Sequence, residues 1–306
     1  MQTEVISESG PFFTVVLTTY NRKLLLAQAI QSVLNQTYMD FELLVIDDGS
    51  DDGTGDSVSE YRDKRFNYVR QDNKGAGSAR NKGISLAKGR YLCFLDDDDT
   101  FLPNHLFVLH SDIAGRDFPV AMFRTFARVQ YHGQEGVDQQ LTKRADLHSL
   151  EYIFKGVMYL PTVCLHRQIF LKYRFNEDLR LNIDYEMWIR VLTEFVVFEI
   201  GEITVIINFH SGGSVSAGSE TAHARYIESW KVLFGLKEVK KYLPAKYRHN
   251  TLFKRYHWLA MEQANNGKRL DGFVSSLNAV RQNPGFVLDK NLYIVLWKLI
   301  QPAPKK

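Results

Sequence analysis

Cysteine is scarce in this chain, with two in 306 residues, and both Cys93 and Cys164 lie in apolar stretches. That argues against a disulfide framework or a cysteine-built zinc site. The two read as small buried residues, and a reducing compartment is expected. Long hydrophobic runs are also missing. Residues 1–10 are polar and acidic, without the basic and apolar regions of a secretory leader. The most apolar stretch near either end, 292–300, is interrupted by Lys298 and is too short to span a bilayer. The expectation is a soluble or peripheral protein, cytoplasmic if bacterial. No glycine-rich Walker loop occurs, and no G-x-G-x-x-G follows the first apolar run, which disfavours a dinucleotide-dependent dehydrogenase.

What is present is an ordinary globular composition with an uneven charge. The 20 Phe and 15 Tyr supply ample core material. Residues 220–306 carry 16 Lys and Arg against 6 Asp and Glu, a balance of +10, whereas the other 219 residues carry 22 against 29, a balance of −7. The basic end reads as an anionic partner or acceptor surface, or as solvated helix faces. The acidic part holds the candidate site, and an acidic cleft repels nucleic acid.

The first hundred residues alternate between apolar β-branched runs and helical periodicity. Strands are expected at 12–17, 41–46, 66–69 and 90–95. Helices are expected at 22–36, where Leu26, Ile30, Val33 and Leu34 share a face, at 75–87 and near 52–61, with another opening at Pro103. Such βα alternation predicts a mostly parallel sheet covered on both faces, with ligands beyond the carboxyl ends of the strands. Further on, strands are expected near 120–130, 162–166 and 196–207, a loop near 133–138, and a helix from about Asp184. The remainder is helical in pattern, with Ile227, Trp230, Phe234, Phe253, Tyr256 and Ala260 at helical spacing. The Gly- and Ser-containing stretch 211–219 marks the expected boundary between a catalytic domain, 1–215, with halves at 11–113 and 114–215, and a helical region, 216–306.

Four consecutive aspartates, Asp96, Asp97, Asp98 and Asp99, follow the fourth strand. Repulsion among them is relieved by a divalent cation, and hard carboxylate oxygens select Mg2+ or Mn2+. A solvated acidic loop is the plain alternative. The text also fits the D-x-D-x-T pattern of haloacid-dehalogenase-like phosphatases, in which Asp96 would be the nucleophile. That reading leaves Asp48 and the 18–21 cluster without a role.

Taken together, Thr18-Thr19-Tyr20-Asn21-Arg22, Ser32 to Thr37, Asp47-Asp48-Gly49-Ser50-Asp51-Asp52-Gly53-Thr54, Gly75-x-x-x-Ala79-Arg80-Asn81-x-Gly83 and Gly89 to Asp99 resemble glycosyltransferase family 2, which has the GT-A fold. The resemblance is dense over 12–113 and loose over 150–215. It implies an inverting transferase that uses a nucleotide-sugar, commonly a UDP-sugar, in cell-surface polysaccharide synthesis. It implies that Thr18 and Tyr20 cradle the base, that Asp48 accepts from the uracil N–H, that Asp96 and Asp97 lie near ribose and sugar, and that Arg80 meets the diphosphate or sugar. Asp98 matches the metal ligand of the family's D-x-D motif. Each has a bland alternative: a strand end for Thr18, a turn and cap for Asp48, a surface helix position for Arg80.

Downstream, Asp184-Tyr185-Glu186-Met187-Trp188-Ile189-Arg190 resembles the family's E-D-x-x-x-W-x-R segment and implies Asp184 as the general base, with Glu186 as fallback. Ile183 departs from the pattern, standing where an acid is common. His210 matches a late histidine that implies a second metal contact. The implied acceptor is a glycan or lipid-linked hydroxyl. Peripheral contact with the inner face of the membrane through the basic C-terminal region is a further expectation, and a non-catalytic nucleotide-sugar-binding module is the remaining alternative.

Overall fold

The structure is a computed structural model describing residues 10–131, 136–138, 153, 157–209, 220–285 and 290–300. It divides into two compact units, Met1–Ser211 and Gly212–Lys306. The stretch 211–219, expected to hold the domain boundary, lies outside the described residues, as does His210.

The first unit is built on a nine-stranded sheet. Strands β1 (Phe13–Thr19), β2 (Phe41–Asp47), β3 (Phe66–Arg70) and β4 (Tyr91–Asp96) pair in parallel in the order β3-β2-β1-β4. The sheet continues through β8 (Val163–His166), β6 (Met122–Tyr131) and β9 (Val197–Phe209) to β5 (Thr100–Phe101), with β7 (Val137–Asp138) paired to β6. β8 runs antiparallel to β4 and β6, and β5 antiparallel to β9, while β6 and β9 are parallel.

β1 and β2 are buried along their whole length because helices cover both faces, which explains their continuous apolar text. Phe13, Val15 and Leu17 join α1 (Lys23–Leu34) and α4 (His105–Gly115) in one core through Leu26, Ile30, Leu106 and Leu109. Val16 points to the opposite face, where α3 (Ala76–Leu86) crosses so closely that a Cβ on Gly83 would come within 2.3 Å of Val16 Cγ1. On that face Phe94 meets Phe175, and Phe175 meets Trp188 of α5 (Ile183–Val191).

Several elements depart from expectation. The helix near 52–61 is only α2 (Thr54–Val58). Pro103 lies in the turn before α4, which begins at His105. β5 and β7 are two-residue strands that exist through their pairing with β9 and β6, which no local pattern announces. Cys93 and Cys164 are register partners across β4 and β8, both buried and both free thiols.

The second unit is helical throughout its described residues: α6 (Glu220–Gly235), α7 (Lys237–Tyr242), α8 (Ala245–Asn265), α9 (Arg269–Gln282) and α10 (Lys290–Ile300). Ile227, Trp230 and Phe234 are buried, as their spacing implies. Ala260, Ala264 and Val295 form one small core, and Ala279 and Leu292 another. Among the described residues no helix is long and apolar enough to cross a membrane.

Candidate active site

The carboxyl ends of β1, β2 and β4 form one rim, because the register sets Thr18 beside both Ile46 and Asp96, and Thr19 beside Asp47. The loops that follow are tied together by short polar side chains. Asn21, in the left-handed region at φ 53°, donates its N–H to Ser50 Oγ and accepts from the Asp51 N–H at 2.8 Å. Tyr20, beside it, is 48% exposed at the rim.

Asp48 is almost fully buried. Its carboxylate accepts from Gln71 Nε2 at 2.8 Å, from the Lys74 N–H at 3.0 Å and from the Gly75 N–H at 2.7 Å. It thereby holds the glycine turn that opens α3. Gly75 sits at φ 94°, and a Cβ there would collide with the Arg180 guanidinium, so the turn requires glycine. Three donors leave room for one more on an ionised carboxylate. Asp47 serves locally, accepting from the Ser50 N–H and the Tyr68 hydroxyl.

The four aspartates divide their work. Asp96 is half-exposed and accepts from Arg80 Nη2 at 2.7 Å. Asp97 is buried and accepts from Thr19 Oγ1 at 2.7 Å and from Arg22 Nη1 at 3.1 Å. Asp98 accepts from the same Arg22 nitrogen at 2.7 Å. Asp99 turns inward and accepts from the Asn208 N–H, while Asn208 Nδ2 donates to the Asp98 carbonyl, so Asp99 ties the acidic loop to the end of β9. Burial pushes Asp97 up to about 6, although Thr19 and Arg22 pull the other way. Burial and the Asp96 charge raise Asp98, and burial with the neighbouring aspartates raises Asp99 well above the usual carboxylate range.

Arg80 is not a surface residue. It is buried, with its guanidinium 5.6 Å from the Phe175 ring. Asp184, the second residue of α5, lies within the electrostatic reach of both Arg80 and Asp96. Burial raises its carboxyl, Arg80 draws it down and Asp96 pushes it up. Arg80 is hydrogen-bonded to Asp96, and its charge is also felt by Asp184. Ile183 is buried against Gly77 of α3, so an acid is not needed there for packing. Glu186 is fully engaged by Arg190, through Nε and Nη2 at 2.8 Å each, which removes it as a free fallback base.

Three contributors carried no assigned role in the sequence. Arg22 bridges two of the aspartates. Asn81 donates to the Phe175 carbonyl and accepts from the Phe175 N–H, both at 2.9 Å, clamping the segment that leads into α5. Gln36 donates to the Leu102 carbonyl and accepts from the Leu106 N–H, fixing the chain just beyond the aspartates. The signal for Arg22 was present: four carboxylates need a nearby cation, and Arg22 follows the strand beside theirs.

The donor set suits a hard cation. Among the described residues no group of three or more His, Cys, Asp or Glu side chains gathers as a cage. Asp98, a partly exposed carboxylate at the rim, fits the way Mg2+-type ions are held, by one or two carboxylates plus substrate phosphates. Asp98 would hold the ion, and His210 lies outside the described residues.

A mixed sheet with its acidic rim beyond parallel strand ends, covered by helices on both faces, is the GT-A architecture of nucleotide-sugar transferases. Residues 14–153 match the family model for glycosyl transferase family 2. That match gives residues 14–153 a glycosyl transferase family 2 domain, and with the similarity to named glycosyltransferases it supports a transferase, which sets the phosphatase alternative aside. It is 27% identical over 303 residues to the Escherichia coli (strain K12) protein named "Putative colanic acid biosynthesis glycosyl transferase WcaA", covering 86% of this chain and 97% of the relative. Its fold is similar to that of S. aureus TarS 1–349 in complex with UDP-GlcNAc (TM-score 0.64, 18% identity, 94% of this chain and 88% of that one). It is also similar to the mannosyltransferase PcManGT from Pyrobaculum calidifontis in complex with GDP-Man and Mn2+ (TM-score 0.59, 14% identity, 96% and 86%).

Proposed function

We propose that this chain transfers a sugar, with inversion, from a UDP-sugar to a hydroxyl of a glycan or lipid-linked acceptor in cell-surface polysaccharide synthesis. The observations that carry the proposal are the pairing of Arg80 with Asp96 at the rim and the burial that raises the Asp184 carboxyl. A carboxyl raised by burial holds a proton more tightly than an ordinary carboxylate, which suits a general base. Asp184 removes the acceptor's hydroxyl proton as the hydroxyl oxygen bonds to the anomeric carbon. The bond from that carbon to the diphosphate breaks on the opposite face, and the nucleoside diphosphate leaves. Asp184 is the base and Arg80 the donor's positive contact.

Tyr20, exposed at the rim, stacks on the base beside Thr18. Asp48 offers its remaining lone pair to the uracil N–H. Asp96 and Asp97 face the ribose and sugar. Asp98 would hold Mn2+ or Mg2+, with His210, which lies outside the described residues, as a second candidate ligand. A cation bound there would stabilise the charge that builds on the departing phosphate. UDP-GlcNAc in TarS, GDP-Man with Mn2+ in PcManGT and the polysaccharide assignment in the name of WcaA support the donor class, the cation and the pathway class. We place the protein in the cytoplasm, in peripheral contact with the membrane through its basic C-terminal unit.

A thermal-shift screen of UDP, GDP and ADP with and without Mn2+ tests the reading. UDP with Mn2+ should raise Tm most, and the matching UDP-sugar should then release UDP. Stabilisation by GDP above UDP would overturn the donor assignment, and no response to any nucleotide would overturn the site.

A further inference from the structure

Helix α9 is amphipathic the wrong way round. A helix on a globular surface ordinarily buries its apolar stripe. α9 buries Gly272, Ser275, Ser276 and Ala279, and it exposes Leu270 (75%), Phe273 (47%), Val274 (48%) and Leu277 (45%). These four stand at i, i+3, i+4 and i+7, so they form one continuous stripe on the outward side. The inward side has its own reasons. Gly272 and Ala279 allow close approach, Ser275 Oγ donates to Gln263 Oε1 of α8 at 2.7 Å, and Ser276 Oγ donates to the Gly272 carbonyl. The stripe is therefore not a core face caught in the wrong rotation, because the opposite face is already satisfied. α10 buries an apolar face through Leu292 and Val295 and also exposes apolar side chains, Tyr293, Ile294 and Trp297.

We propose that the outward face of α9 is a membrane-docking surface that inserts into the headgroup layer of an anionic bilayer. Charge selects this occupant. The stretch 220–306 carries +10 net charge, and α9 has Arg269 at its start and Arg281 in its last turn against the single acid Asp271, while Lys268 just before it is paired with Glu220. A face that is apolar at its centre, set in a strongly basic unit and accompanied by exposed Trp and Tyr on the next helix, has the composition of an interfacial helix. A neutral protein partner would match the stripe but not the charge. The inference rests on the proposed membrane contact and gives it a residue-level site.

The test uses the full chain and vesicles of phosphatidylcholine with a quarter phosphatidylglycerol, in flotation assays without nucleotide. The wild type should float with these vesicles and less with pure phosphatidylcholine. A Phe273→Ser/Leu277→Ser double variant should bind at least about tenfold more weakly, given the apolar area removed from the stripe. Unchanged helicity, and an unchanged thermal shift with UDP and Mn2+, would show that it is folded and that the donor-site reading is unaffected. Equal binding by variant and wild type would overturn the stripe while leaving a purely electrostatic membrane contact. No flotation of the wild type would overturn both. A dimer that the double variant converts to monomer, without vesicle binding, would assign the stripe to a second copy of the chain and overturn the proposal.

Discussion

One guanidinium nitrogen of Arg22 lies 2.7 Å from Asp98 Oδ2 and 3.1 Å from Asp97 Oδ1. Arg22 thus neutralises one buried and one partly exposed carboxylate, and the side chain assigned to the cation is already paired to an internal one.

Arg22→Ala should leave Asp97 and Asp98 uncompensated. Arg22 and Asp98 are partly exposed, so the loss should be about 1–2 kcal/mol rather than the larger cost of breaking a fully buried pair. Mn2+ alone should raise the Tm of the variant more than that of the wild type. An equal response in thermal scans would mean that Arg22 and the ion do not share Asp98.

Asp98→Ala should abolish the Mn2+-dependent part of stabilisation by UDP. Asp97 keeps its bond from Thr19, and Asp99 its bond from Asn208, so the fold should persist. Titration calorimetry of UDP with and without Mn2+ reads this directly.

Asp184→Asn should retain donor binding and lose transfer by about 10²–10⁴-fold, the usual worth of a general base. The amide cannot accept the acceptor's proton at neutral pH but can still receive hydrogen bonds. Transfer at the full rate would move the base elsewhere.

Asn81→Leu removes both bonds to the Phe175 backbone and leaves its N–H and C=O without these partners. The expected loss is about 1–3 kcal/mol. Because that segment leads into α5, kcat should fall while the thermal shift with UDP remains. A stability loss with kcat intact would limit Asn81 to the fold.

His105 is fully buried, with Nδ1 2.7 Å from Thr204 Oγ1, and burial lowers its pKa to about 3. An unfolded histidine titrates at about 6.5, so between those values the unfolded chain binds the extra proton and stability falls as pH drops. Asp97, raised to about 6, acts in the opposite sense over part of this range. The comparison is therefore between variants. His105→Gln should show a shallower stability loss between pH 6.5 and 4 than the wild type, by up to one proton in the slope of unfolding free energy against pH.

The first four strands and the helices α1 and α3 are readable from text because each is specified locally, by an apolar run or by a 3.6-residue period. β5 is not, since Thr100 and Phe101 become a strand only when Val205 and Ile206 arrive beside them. α9 misleads a reader of periodicity: Leu270, Phe273, Val274 and Leu277 have core spacing, yet the face carrying Gly272 and Ala279 is the one that packs.

The candidate site divides along the same line. That acidic residues at 48 and 96–99 stand at strand ends follows from the sequence alone, because an apolar strand must stop where its carboxylates begin. What each carboxylate touches depends on the fold. Asp48 meets the 71–75 turn, Asp97 and Asp98 meet Arg22, Asp99 meets Asn208, and Asp184 comes near Arg80 and Asp96 across about ninety residues of chain. Hydrogen bonds and ion pairs act over a few ångströms. Only the folded sheet decides which distant residues come that close.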